Sequence, residues 1–178
     1  SKKDEIEETI RRARERIKTI VDRIREELKR IRDKHKKLVD EDKKTLEEVL
    51  RTLRELVRDK PVDDRLLREV EKLLEDSKEE IKKHHEELAR RLREIEEKIK
   101  RLLEEAEKKV EDVRDEIRKT GVTDEILEKV KELVREVEEV LRRIEKEIED
   151  LVRKVEEDLR RIHERNRELA KKADDDIK

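Results

Sequence analysis

Four histidines, His35, His84, His85 and His163, are the side chains of this sequence with the widest chemical range. An imidazole can hold a metal ion, and it can exchange a proton near neutral pH. A helix usually offers zinc two histidines four residues apart. The close pair here is adjacent, and adjacent side chains on a helix point about 100° apart. We therefore expect no metal site and no cofactor.

The sequence gives little support to other kinds of enzyme chemistry. The chain has no cysteine, which removes thiolate nucleophiles and disulfides. Acidic side chains are so frequent that a pair of carboxylates carries no information, and we find no phosphate-binding loop or nucleophile elbow. A narrow core of aliphatic side chains is also expected to contain no pocket. We expect neither an enzyme nor a small-molecule binder.

One proline and one glycine mark the two places where the chain is expected to turn. Pro61 suits the first turn of a helix and cannot continue the helix before it. Gly121 suits a left-handed C-terminal cap, and Thr123 suits the N-cap of the next helix. These turns separate three predicted helices of nearly equal length, at about 3–59, 63–119 and 123–175.

Apolar side chains recur every three or four residues along each predicted helix, which indicates one buried helix face. Their mean spacing, about 3.55 residues, lies between the values for a heptad coiled coil and a straight helix. We therefore predict an all-α fold: a single domain, residues 1–178, forming an elongated antiparallel up-down-up three-helix bundle with a gentle left-handed, coiled-coil-like twist. Polar stretches at 39–45 and 75–80 leave a five-helix alternative open, although the spacing crosses both in phase.

Most polar residues of the apolar face fall at one level of this bundle. Residues of the first two helices face each other when their numbers sum to about 122, and residues of the last two when the sum is about 243. The residues brought to this level are Thr45, Ser77, Asn166, Asp42, His163, His35 and His84. We predict that they form a buried polar network.

Within this network, Thr45 faces Ser77 and Ser77 faces Asn166, so these three could form one hydrogen-bonded layer. Asp42 and His163 would pair in the next layer. An unpaired buried polar group costs about 1–3 kcal/mol. Sliding one helix past another would leave several such groups unpaired, so the network is expected to fix the helix register.

The histidines allow more than one arrangement. His35 lies one turn from His84, and either His84 or His85 satisfies the apolar spacing. His85 could instead lie on the surface, and His163, next to an isoleucine of the apolar face, could lie at its edge.

The composition argues against two classes of partner. Charged residues make up 61% of the chain, but the formal net charge is only -2 and no aromatic residue is present. Nucleic-acid binding is therefore not expected. No apolar run is long enough for a membrane span, and there is no signal-peptide core. We expect a soluble chain, and no targeting signal in the sequence indicates a localisation.

The aliphatic stripes, the Glu, Lys and Arg on the other faces, and the short connections resemble those of computationally designed helical bundles with buried hydrogen-bond networks. Natural three-helix repeats such as those of spectrin usually have aromatic residues in the core, and this chain has none. The resemblance implies a structural scaffold without an evolved biochemical activity. Buried histidines in this group can respond to acid, which the resemblance implies for His35, His84 and His163.

Two further functions remain as alternatives to a monomeric scaffold. Apolar side chains at the edge of the stripe, Leu46, Leu50 and Val57, could bring chains together as homo- or hetero-oligomers. If imidazoles are buried in the neutral form, acid below about pH 6 would loosen the bundle, which would then act as a pH-responsive switch.

Overall fold

The computed structural model describes residues 1–59 and 64–177 and contains three long helices. They are α1 (Lys2–Asp59), α2 (Asp64–Thr120) and α3 (Asp124–Ile177). Each helix packs against the other two, which confirms the all-α three-helix fold. The predicted turn at Pro61 lies outside the described residues, as does the side chain of Val57. No described helix carries the long apolar stretch that a transmembrane span needs.

The two polar stretches that leave a five-helix alternative open are helical throughout. α1 continues through 39–45, and α2 continues through 75–80. Neither stretch contains glycine or proline, so nothing interrupts the backbone hydrogen bonds. The five-helix alternative is therefore wrong.

The connection between α2 and α3 is capped on both sides. Gly121 has a φ of 76°, and its N–H donates to the carbonyl of Ile117 at 2.8 Å. This left-handed conformation favours glycine because it has no Cβ. On the other side, Thr123 Oγ1 accepts a hydrogen bond from the N–H of Ile126 at 3.2 Å. Both caps lie where the sequence predicts them.

Contacts between Cα atoms divide the chain into two compact units, each containing part of all three helices. The first unit comprises Ser1–Lys29 and Arg91–Asp150, and the second comprises Arg30–Arg90 and Leu151–Lys178. The expectation of a single domain stays a prediction.

Ion pairs in the first unit give the direction of each helix. Pairs between α1 and α2 have residue numbers that sum to 121, as in Arg14–Glu107 and Arg25–Glu96. Pairs between α1 and α3 have numbers that differ by 122, as in Arg16–Glu138 and Arg23–Glu145. A constant sum marks antiparallel helices and a constant difference marks parallel ones. The first unit therefore has the predicted up-down-up order.

The core of the second unit corrects one part of the predicted stripe. Leu46 is 1% exposed, whereas Thr45 is exposed and donates its hydroxyl to the carbonyl of Glu41 at 3.0 Å. Adjacent helix positions point about 100° apart, and burial stabilises leucine more than threonine. The predicted place of Thr45 in the buried network is therefore wrong, and Leu46 is not an exposed edge for oligomerisation. This core cluster comprises Val39, Leu46, Leu74, Ile81 and Ile162.

The first unit contains a cavity of about 450 Å³ between its three helices. Ala13 of α1 and Ala106 of α2 both line it, and two such small side chains leave space between the helices unfilled. The expectation that an aliphatic three-helix core contains no pocket is therefore wrong.

Replacing Leu46 by Ala should lower the free energy of unfolding by about 2–5 kcal/mol, because it removes buried methyl groups and leaves a void. The neighbouring Thr45→Ala should change it by less than about 0.5 kcal/mol, because that side chain is in solvent. Guanidinium unfolding followed by far-UV circular dichroism measures both. Leu73→Ala is the matched control, since Leu73 is 38% exposed. A larger loss for Thr45→Ala than for Leu46→Ala would contradict this assignment.

Candidate functional site

His35 of α1 lies at the centre of a group of three imidazoles in the second unit. His35 is 1% exposed. Its Nδ1 lies 2.9 Å from Nδ1 of His85, and its Nε2 lies 3.2 Å from Nδ1 of His84. The His35 ring is nearly parallel to both, with interplanar angles of 18° and 19°. Both histidines of α2 therefore contact His35, whereas the apolar spacing predicts a contact with only one of them.

Asp158 extends this group to α3. His84 Nε2 lies 3.0 Å from Asp158 Oδ2, and Arg161 donates to the other oxygen, Oδ1, at 3.0 Å. The three imidazoles and Asp158 are called the histidine cluster below. Residue type alone does not single out Asp158, because the chain has 55 acidic residues. The facing-position count does pair Asp158 with His84, since 158 and 84 sum to 242, within one residue of the 243 that marks facing positions of α2 and α3.

The carboxylate determines the direction of every hydrogen bond in the histidine cluster. A carboxylate only accepts, so His84 donates Nε2–H to Asp158 and, when neutral, keeps a lone pair on Nδ1. His35 then donates Nε2–H to that lone pair and accepts at Nδ1 from the Nδ1–H of His85. The Nε2 of His85 takes no part in these contacts and can accept a hydrogen bond from water. Neutral imidazoles therefore satisfy all three contacts with one arrangement of tautomers.

This arrangement has room for one added proton. A proton can enter at Nε2 of His85, and moving the N–H protons along the cluster places the positive charge on His84, beside Asp158. Every contact then still joins one donor to one acceptor. A second proton would set two N–H groups against each other at one of the two N···N contacts. The histidine cluster can therefore accept one proton intact, and a second one disrupts it.

The buried position of His35 also opposes its protonation. Burial, followed by charge repulsion from His85 and His84, lowers the pKa of His35 to about 4. His35 is therefore neutral at pH 7. Among the described residues, no group of three or more His, Cys, Asp or Glu side chains is arranged to hold a metal ion.

Ser77 of α2 and Asn166 of α3 form a second polar contact in this unit. They are 2% and 4% exposed, and the Ser77 hydroxyl donates to Asn166 Oδ1. The Nδ2 of Asn166 is also buried, and it has no hydrogen-bond partner among the described residues. The pair joins α2 to α3 but leaves one donor unsatisfied.

Asp42 and His163 link α1 to α3. Asp42 is 9% exposed, and its Oδ1 lies 3.3 Å from Nδ1 of His163. The His163 side chain is 65% exposed, so it approaches Asp42 from the surface. The core position next to it belongs to Ile162, which is 4% exposed. The expectation that His163 is buried is therefore wrong, although it does contact Asp42.

Replacing Ser77 by Ala should lower the free energy of unfolding by about 1–3 kcal/mol, because Asn166 then loses the partner of its Oδ1 as well. Adding Asn166→Leu should recover most of that loss, since leucine has a similar size and leaves no polar group unpaired. Urea unfolding of the wild type, both single variants and the double variant gives the coupling energy. Strictly additive effects would show that the two side chains do not form this contact.

No protein-family model matches the chain, and searches of curated proteins and of solved structures found no match.

Proposed function

We propose that the chain is a structural scaffold of the computationally designed kind, with no evolved biochemical activity. In this proposal the polar side chains of the second unit fix which residues of the three helices face each other. The aliphatic stripes, the absence of aromatic residues and the charged outer faces support it.

The observation that carries the proposal is that each pair of helices is joined by a polar contact. α1 meets α2 through His35 and the two histidines, and α2 meets α3 through Ser77 and Asn166. α1 meets α3 through Asp42. An aliphatic interface loses little when it slides, whereas moving any of these helices would leave a buried polar group unpaired.

Removing the buried polar groups should therefore leave the bundle folded but allow its helices to pack in more than one register. The test variant combines His35→Leu, Asp42→Leu, Ser77→Ala and Asn166→Leu. Because the chain has no cysteine, spin labels can be attached at Glu79→Cys in α2 and Arg160→Cys in α3, both exposed in the second unit. Electron-electron double resonance should give one narrow distance for the parent and a broad or multiple distribution for the variant. A shift by one heptad moves a label by about 10 Å.

The matched control changes four aliphatic residues of the same core and leaves the polar groups in place: Val39→Ile, Leu74→Ile, Ile81→Leu and Ile162→Leu. It should keep the narrow distribution, because volume changes little and the polar contacts remain. If the fully apolar variant gives the same single distance, the loops and aliphatic packing set the register, and the proposed role of the polar groups is wrong.

A response to acid is a second candidate function, and the burial of His35 favours it. His35 faces His84 and His85 from α2, and through His84 it faces Asp158 of α3. A histidine of the unfolded chain has a pKa near 6.5, while that of folded His35 is about 4. The unfolded state therefore binds the proton first as pH falls. The contribution of neutral His35 is complete above about pH 6.5, is lost as pH falls toward about 4, and is constant below that.

The parent protein should accordingly lose about 3 kcal/mol of unfolding free energy between pH 7 and pH 4 in excess of the variant His35→Leu. Urea unfolding at several pH values measures this difference, and the comparison cancels the titration of surface carboxylates. Leu46→Ala is the control: it weakens the same core without removing an ionisable group, so the variant should keep the acid dependence of the parent. Equal losses for the parent and His35→Leu would exclude the acid response.

A further inference from the structure

We propose that the cavity of the first unit binds one medium-chain alkyl carboxylate, with the alkyl chain among aliphatic side chains and the carboxylate at Lys18. This goes beyond the scaffold function, which concerns the second unit. The cavity lies between all three helices and is lined by residues of each.

The cavity has a clear origin in the sequence. Ala13 of α1, Ala106 of α2 and Val137 of α3 all line it. The numbers 106 and 137 sum to the 243 that marks facing positions of α2 and α3, so the smallest side chains of two helices meet a valine. Leu133 and Val134 of α3 line it as well and are only half-buried. The cavity therefore results from small side chains at these core positions.

The size and lining of the cavity suit an alkyl chain. Its volume is about 450 Å³. At roughly 30 Å³ per heavy atom, the share of a water molecule in the liquid, it holds about 15 heavy atoms. A twelve-carbon carboxylate has nearly this number. Apolar cavities hold water poorly and take up apolar molecules instead, and each buried methylene group strengthens binding.

The charges at the rim favour an anionic head group. The rim carries Arg14, Lys18 and Arg25 against Asp22 and Glu107. Arg14 is paired with Glu107, and Arg25 with a glutamate of α2 outside the rim. Lys18 and Asp22, one helical turn apart, are both exposed, and neither has an ion pair with any described residue. The preference for an anion therefore comes from three cations against two anions at the rim. A carboxylate beside Lys18 would therefore gain an attractive partner without breaking an existing pair.

Isothermal titration of the full chain with dodecanoate, below its micelle concentration and at low salt, tests the proposal. We expect one site per chain. Affinity should rise about three- to four-fold per methylene from octanoate to dodecanoate and then level off. Dodecyltrimethylammonium should bind at least about ten-fold more weakly, since its charge meets Lys18. The absence of saturable one-to-one binding, or equal affinity for both head groups, would overturn the proposal.

One pair of variants distinguishes binding in the cavity from binding elsewhere on the surface. Ala106→Leu fills the cavity and should weaken dodecanoate binding at least about ten-fold. Ala89→Leu is the same substitution at a half-buried alanine of α2 that does not line the cavity, and it should leave binding unchanged. Circular dichroism establishes that both variants are folded. Equal binding by the two would place the ligand elsewhere.

The head-group contact is tested in the same way. Lys18→Glu should reverse the preference between dodecanoate and dodecyltrimethylammonium, while Lys82→Glu, at an exposed lysine of the second unit, should preserve it. Methyl-labelled samples add a direct readout, because dodecanoate should shift the NMR signals of Ala13 and Ala106 but not that of Ala89. A preference unaltered by Lys18→Glu would overturn the assignment of the carboxylate to that lysine.

Discussion

A polar group removed from water must find its partner inside the protein, and this requirement governs the second unit. Four polar residues are buried among the described residues: His35, Asp42, Ser77 and Asn166. Each makes a polar contact with a side chain of another helix. A side chain that makes its hydrogen bond within its own helix would keep that bond wherever the neighbouring helices lie. These groups depend on that position, so a few hydrogen bonds constrain helices that are otherwise held by aliphatic packing.

The helices themselves could be predicted from the sequence because local and tertiary signals agree. Apolar residues keep one spacing across each helix, and the glycine at 121 and Thr123 stand where the backbone has to turn. Up-down-up order then follows from the short connection, and counting from it gives facing positions. That count is accurate enough to bring Ser77 opposite Asn166, which are 89 positions apart in the chain.

Details finer than half a helical turn could not be predicted in this way. Thr45 and Leu46 are adjacent, and either keeps the spacing. Which one is buried depends on the rotation of α1 against its neighbours and on the greater gain from burying leucine. Asp158 could not be distinguished by residue type, because acidic residues are so frequent in this chain. The cavity was not predicted because the apolar spacing depends on whether a side chain is apolar and not on its volume. Ala106 therefore fits the spacing as well as a leucine would.

The hydrogen-bond direction in the histidine cluster has a consequence for how its protons meet water. Asp158 occupies one end, and the other end is the outer nitrogen of His85, so the ring N–H of His35 has no direct route to solvent. It can be replaced by deuterium only after transfer along the neighbouring imidazoles or after the helices separate locally. Exchange of that single proton thus reports on two events, proton transfer along the imidazoles and local separation of the helices, without any label or chromophore being added.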